Sequence, residues 1–342
     1  TRYAYDKAGN LTGSTLPDGS YISYEYDNYQ RLTTIEDGLG NRIEYTLDAA
    51  GNRTSERTLD DGGELRRQLG RVYDSLNQLE TAIDGNNGET RYEYDSNGNR
   101  ISIMDANLNT SSYEYDALER LVKVIDPILG ETLMSHNNQG NPVRITDPMG
   151  NATQYAYDGL GNQIEVNSPD TGSTVHEYDV AGNRTATVDA RGVRTEFTYD
   201  ALNRLLEISY PDSTLDVIYG YDAGDFGKGR LTSMADAAGV AEYSYDQRGN
   251  LVSETRTTGG GQYVTAFAYN SADRLVQIIY PSGMVIDYQH DSSGNIISIE
   301  KSENSITEIL VENVKYAPFG PVTSFTYGNG SAYSTTLNMD YE

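Results

Sequence analysis

The sequence predicts an all-β protein: tandem antiparallel β-hairpins forming one continuous sheet that coils on itself. Three observations predict it. A phrase close to Tyr-x-Tyr-Asp-x-x-Gly-Asn recurs 15 times in 342 residues. Nine of the 14 intervals between copies are 21 residues, and the others run from 22 to 26. Each interval holds two strand-like stretches separated by two clusters of turn residues.

The first strand carries the aromatic pair. Aligned on its second aromatic, the phrase falls at Tyr5, Tyr26, Leu47, Tyr73, Tyr94, Tyr115, His136, Tyr157, Tyr178, Tyr199, Tyr221, Tyr245, Tyr269, His290 and Tyr316. A spacing of two puts both rings on one side of a strand. The residue between them is small or polar (Ala4, Glu25, Glu93, Glu114, Ala156, Ser244), the alternation of a half-buried strand. The first turn follows. Asp comes after the second aromatic in 12 copies and Asn in two, and both side chains bond the backbone two residues on. Three residues later stands Gly in nine copies: Gly9, Gly51, Gly98, Gly140, Gly161, Gly182, Gly249, Gly294 and Gly320. Asn77, Asn203, Asp225 and Asp273 fill that slot in four more, and all these types tolerate positive φ. Gln30 and Glu119 do not fit and imply a different turn there. The second strand is rich in Leu, Ile and Val, as in "RLTTIED", "RLVKVID" and "RLVQIIY". The second turn is marked by Pro and Gly, as in "PDGS", "DPMGN" and "YPSG". Longer intervals place insertions in this second turn, near Asp60–Arg71, Ala223–Gly229, Thr257–Gln262 and Glu300–Glu312. The stretch "ELRRQLGRVYDSLNQL" could pass for a helix, but Tyr73-Asp74 keeps the phrase and favours a strand.

Composition narrows the function. Apolar residues make up 37%, below the usual share of about 45–50%. Cys and Trp are absent, while Tyr reaches 29 and supplies the area a core needs. No disulfide scaffold is possible. A net charge of -26 opposes nucleic acid and anionic membrane surfaces, and no basic cluster in sequence exceeds Arg66-Arg67. No apolar run approaches the roughly 18 residues of a membrane span. The first residues fall inside a copy (Tyr3, Tyr5, Asp6) and the last ones read as a phrase cut short. The expectation is one repeat region over 1–342, an internal fragment of a larger protein.

Fifteen hairpins make about 30 strands, a ribbon near 145 Å wide at about 4.8 Å each. Open sheets seldom exceed about 10 strands without curling or splitting. Propeller blades would double the period, and copies ending in Gly-Asn do alternate with copies ending in Arg (Arg31, Arg120, Arg204, Arg274). Three successive Gly-Asn copies at Gly140, Gly161 and Gly182 break the alternation and favour a coiled wall around a cavity.

These phrases carry a family likeness. "YEYDSNGNRI", "YEYDALERLVKVID" and "FTYDALNRLLEI" resemble the YD repeats of the RHS (rearrangement hot spot) family, and "YAPFGPVTSFTYGNG" resembles a segment late in bacterial RHS repeat regions. The resemblance covers the whole chain. Its relatives include the C component of insecticidal toxin complexes, polymorphic bacterial toxins and the teneurins. It implies a spiral β-shell segment, secreted or at the bacterial cell surface. It also implies that the shell encloses a toxin or effector domain of the same parent chain, with other shell components as further partners.

Candidate chemistry is sparse. His136, His176 and His290 could serve a metal or act as bases, yet each occupies an aromatic position of the phrase, where a flat ring suffices. Asp-x-x-Gly-Asn lacks the ligand series of a calcium loop. Family toxins end their shell at an Asp-Pro-x-Gly autoprotease signature. Here "DPMG" runs straight into the next repeat, so Asp147, like Asp126, reads as a turn residue. No catalytic residue, metal ligand or cofactor is expected, and a paired-carboxylate glycosidase is a distant third reading. The alternative to a container is an adhesin-like module whose Tyr rows bind cell-surface carbohydrate, although Tyr rows also hold neighbouring strands together.

Overall fold

The computed structural model describes residues 1–341. Among the described residues it contains 31 strands in one antiparallel sheet, pairing in chain order, and a single short 3-10 turn at Ser213–Leu215, capped by the Asp212 side chain. The hairpin reading of the phrase therefore holds along the chain. The strand Leu65–Tyr73 occupies the stretch that could have passed for a helix.

Both turns of a repeat share one design. At the first turn, Asp6 N–H donates to the Asn10 carbonyl at 3.0 Å, closing a five-residue loop. Asp6 Oδ1 accepts the Ala8 and Asn10 N–H groups, each at 2.9 Å, and Oδ2 accepts Asn10 Nδ2 at 2.9 Å. Asp37 makes the same bonds to Leu39 and Asn41 in a second turn. The left-handed slot holds as expected for eight of the nine glycines, from Gly9 (φ 92) to Gly294 (φ 90), and for Asn77, Asn203 and Asp273.

Four expectations are corrected. Gln30 (φ 63) and Glu119 (φ 61) occupy the same left-handed slot as the glycines, so their turns are not of another type; the loop's bonds hold them there. In the copy after Tyr221, φ is positive at Asp222, Gly224 and Phe226, and Asp225 is not the slot residue. At Ala317–Gly320 the slot is held by Phe319 (φ 50), not Gly320. Three of the four insertions lengthen strands rather than turns: Arg53–Leu59 with Leu65–Tyr73, Leu251–Thr258 with Gly261–Tyr269, and Ile296–Glu303 with Ile306–Tyr316. The last two close through two-residue turns with positive φ at both positions (Gly259-Gly260, Asn304-Ser305), whose twist matches paired strands. The fourth insertion, Ala223–Gly229, lies in a first turn, between the strands Val217–Tyr221 and Leu231–Asp236.

A bulge precedes the second aromatic. Glu114 pairs with Lys123 and Tyr115 with Leu121, leaving Val122 extra, and the same shift recurs from Ala4/Tyr5 to Lys315/Tyr316. Bulges increase local twist and bend the strand. The ladder to the previous hairpin ends at Ser102 opposite Ser112, and the tyrosine hydroxyl bonds the backbone beyond that end. Tyr115 Oη donates to the Arg100 carbonyl at 2.9 Å, Tyr26 to Leu11 at 2.9 Å and Tyr178 to Gln163 at 3.0 Å.

The core is thin. Among the described residues only Leu59, Ala186, Ala241, Ile286 and Ala317 are buried hydrophobics. The accessible surface is 20437 Å², against roughly 13,800 Å² for a compact protein of this mass. The sheet is thus largely a single layer with two chemical faces. Tyr113 stands opposite Val124 on one, and Glu114 opposite Lys123 on the other.

Contacts divide the chain into two compact units. The first comprises Thr1–Tyr92, Asp105–Asn107 and the residues from Thr265 onward; the second comprises Glu93–Met104 and Leu108–Val264. Both are built from the same hairpins. In the first unit the sheet curls back on itself, so that turns far apart in sequence meet edge to edge.

Candidate functional site

The place where the repeat ceases to be uniform is that edge-to-edge seam within the first unit. Arg274 forms an ion pair with Asp18 and donates from Nη2 to Ser20 Oγ at 3.1 Å. Asp340 accepts the Gly85 N–H at 2.5 Å and Asn86 Nδ2 at 2.7 Å. The partners are separated by 254 to 256 residues at both places. At both places a first turn (Asn270–Arg274, Asn338–Tyr341) meets a second turn (Leu16–Ser20, Asp84–Gly88).

A cleft of about 710 Å³ opens along the seam. Tyr21, Ile22 and Leu39 line one side, and Lys315 and Phe319 the other. Tyr21 lies over Gly13, whose missing side chain makes room for the ring: a Cβ there would sit 3.1 Å from it. Tyr21 and Phe319 are each 43% exposed. Phe319 belongs to the one first turn headed by neither Asp nor Asn, but by Ala317. A bulky residue at positive φ is strained, and such strain gathers at sites where the surroundings impose it. Asp37 and Asp291 also line the cleft, but their carboxylates are occupied by their own turns, through Asn41 and Asn295. The cleft therefore offers aromatic rings, amides and hydroxyls rather than free acid groups.

The sequence candidates are held apart by the fold. His136, His176 and His290 lie on three separate strands, Glu131–His136, Gly172–Tyr178 and Val285–His290. His176 Nδ1 contacts Thr187 Oγ1 at 3.1 Å, and burial, with Arg184 nearby, pushes its pKa down. His136 Nδ1 is closed to solvent and has no hydrogen-bond partner. Asp147 is bound to its turn through Met149 N, Asn151 N and Asn151 Nδ2, and the Asn151 amide leads in holding its carboxyl below the usual range. Asp126 accepts Ile128 N and Gly130 N. Among the described residues no three His, Asp or Glu side chains gather as a metal site.

Carboxylates elsewhere serve the same structural end. At Arg31, Arg120 and Arg204, where the closing residue is Arg rather than Asn, the side chain binds its own Asp and reaches onward. Arg120 Nε donates to Asp116 at 2.7 Å and Nη1 to the Asn137 carbonyl at 2.8 Å, in the next first turn. That side-chain bond, with the turn N–H groups, brings Asp116 down to about 2. Arg204 bridges Asp200 and Asp222 in the same way, and Asp222 also falls to about 2. Some Asn-closed turns reach their neighbours too, Asn52 donating to Asn77 Oδ1 and Asn183 to Asn203 Oδ1, each at 2.8 Å.

Comparisons with known proteins agree with this architecture. The RHS Repeat family model matches residues 5–42, 94–127, 136–173 and 178–215, and the Teneurin YD-shell model matches 225–311. No match is found among curated proteins. The fold is similar to that of TcdB2-TccC3 without its hypervariable C-terminal region, at 15% identity and a TM-score of 0.75, covering 99% of this chain and 21% of that one. It is similar to TcdB2-TccC3-TEV at 15% identity and a TM-score of 0.74, covering 99% and 20%. It is also similar to the Tc holotoxin pore of Photorhabdus luminescens at 14% identity and a TM-score of 0.75, covering 99% and 20%. The chain spans about a fifth of the length of each.

Proposed function

We propose a function on one premise: the chain belongs to the RHS/YD-repeat family. It is a stretch of structural shell wall, and in its parent protein that wall encloses a toxin or effector domain delivered outside a bacterial cell. The observation that carries the reading is the seam. Within the first unit, turns 254 to 256 residues apart meet at two places with matching offset. The polar side chains of the repeat support it. Asp heads close turns, tyrosine hydroxyls cap carbonyls and arginines staple neighbouring turns, so most of the chemistry serves the wall itself. On this reading no residue of the chain is catalytic, and the other components of a toxin assembly are its further partners.

Limited proteolysis of a parent chain carrying this stretch tests the reading. The enclosed domain should resist digestion while the wall is intact and become as sensitive as the free domain once the wall is unfolded. A domain digested at the same rate in both states would end the reading.

The carbohydrate-binding alternative has one specific foothold, the cleft with its exposed Tyr21 and Phe319. A glycan array separates the two readings. Saturable binding that is lost in Tyr21→Ala would favour an adhesin-like role, and a blank array would remove it.

A further inference from the structure

The hairpin Arg53–Leu59 with Leu65–Tyr73 breaks the repeat in a second way. Leu47 replaces the second aromatic of its copy and Arg71 the first aromatic of the next. Strand alternation, with the bulge opposite Thr46/Leu47 bringing Arg53 to the same side, then gathers Arg53, Arg67 and Arg71 around a single carboxylate, Glu56, on the aromatic face. The distances to Glu56 are 3.5 Å from Arg53, 3.4 Å from Arg67 and 3.7 Å from Arg71. None is the 2.7–2.9 Å of a strong charge-assisted bond. Glu56 is mostly buried, its side chain 15% exposed. The Arg53 guanidinium lies 3.6 Å from the Tyr45 ring centroid, which fixes its plane. Neighbouring cations are otherwise engaged: Arg66 pairs with Asp60 and Glu64, and Arg57 pairs with Glu44.

Two guanidinium nitrogens in this cluster, Arg67 Nε and Arg71 Nη1, are closed to solvent and have no acceptor. A buried donor left unmade costs about 1–3 kcal/mol, more when charged. Three guanidiniums against one carboxylate leave two positive charges in excess, in a chain whose net charge is -26.

We propose that this cluster is an oxyanion site for a phosphate-type dianion. A phosphoryl group carries a charge of about -1.5 to -2 near neutral pH and matches the excess, whereas a carboxylate would leave half of it uncompensated. Its oxygens take the fork geometry that guanidinium groups offer. Inorganic phosphate is the probe, since the site is defined by the group and not by what bears it.

Isothermal titration of the 342-residue chain with phosphate, at fixed ionic strength and near neutral pH, tests the proposal. Saturable one-to-one binding is expected, with sulfate competing and acetate failing to compete. Arg71→Tyr, which restores the repeat's own residue, and Arg67→Gln should each weaken binding about ten-fold or more. Arg191→Gln, at an exposed turn tip, should leave it unchanged. Absence of saturable binding up to about 10 mM phosphate would overturn the proposal. So would equal binding by Arg67→Gln, or acetate competing as well as sulfate. Phosphorus NMR line broadening on the unaltered chain, reversed by sulfate, gives a readout that does not depend on any variant folding.

Discussion

At the scale of single residues, the left-handed slot and the Asp head decide how well each turn closes. Glu119 sits at φ 61, where a side chain costs about 1–2 kcal/mol relative to Gly. Glu119→Gly should raise the unfolding free energy measured in urea by about 0.5–1 kcal/mol after the added freedom of the unfolded chain is subtracted. Gly140→Ala, at φ 89 with open space around it, should lower it by about 1 kcal/mol for conformational reasons alone. Equal midpoints for both variants would mean the slot exerts no strain. The Asp heads add a pH dependence. Asp116 and Asp222 titrate at about 2 in the fold, against an ordinary 3.8. Their folded pKa is depressed, so below about pH 4 the unfolded chain binds more protons. Their contribution is complete above that value and disappears as pH falls from 4 to 2. Acid titration of the unfolding midpoint should show this decline. Asp116→Asn should flatten part of it, because Asn137 already heads a turn with the same backbone bonds. A decline unchanged in Asp116→Asn would assign it to other groups.

At the scale of the hairpin, the tyrosine that follows the bulge ties two hairpins together: its hydroxyl caps a carbonyl of the preceding strand beyond the end of their ladder. Tyr115→Phe removes the bond to Arg100 O and should cost about 1 kcal/mol. His136 occupies the equivalent position with its Nδ1 unpartnered, so His136→Tyr should stabilise, reaching toward the Leu121 carbonyl. Thermal melts of both variants check the pair. Strand order and the first turn were legible in the sequence because they are local: Tyr-x-Tyr sets a face, and Asp and Gly set a turn. The bulge was not, since nothing in "YEYD" records the register of its partner strand. Insertions were misplaced for a related reason, because extra residues between two phrases can lengthen a hairpin as readily as a loop. The arginine cluster escaped notice because Arg53, Arg67 and Arg71 meet only once that hairpin is paired. Asp126 and Asp147, read from the sequence as turn residues, are bound to their own turns.

At the scale of the molecule, the question is whether the seam of the first unit is an energetic feature or only a place where turns pass close. A curled ribbon was expected from strand number, but the residues that join its edges could not be read from sequence, because they lie some 250 positions apart. Arg274 and Asp18 are partly sheltered, with side chains 20% and 15% exposed, so their pairing is worth more than a fully solvated bridge. Arg274→Glu puts two carboxylates where an ion pair stood and should cost the seam about 1–2 kcal/mol. Hydrogen exchange locates the effect. Turns 16–20 and 270–274 should exchange faster, while strands of the second unit such as Thr110–Tyr115 keep their protection, because ladder bonds do not depend on the seam. The charge swap Asp18→Arg with Arg274→Asp should restore slow exchange at both turns. Unchanged exchange in Arg274→Glu would make the seam an incidental contact. Loss of protection throughout the chain would instead make the seam part of the same cooperative unit as the sheet, so that the wall could not open along one edge without unfolding.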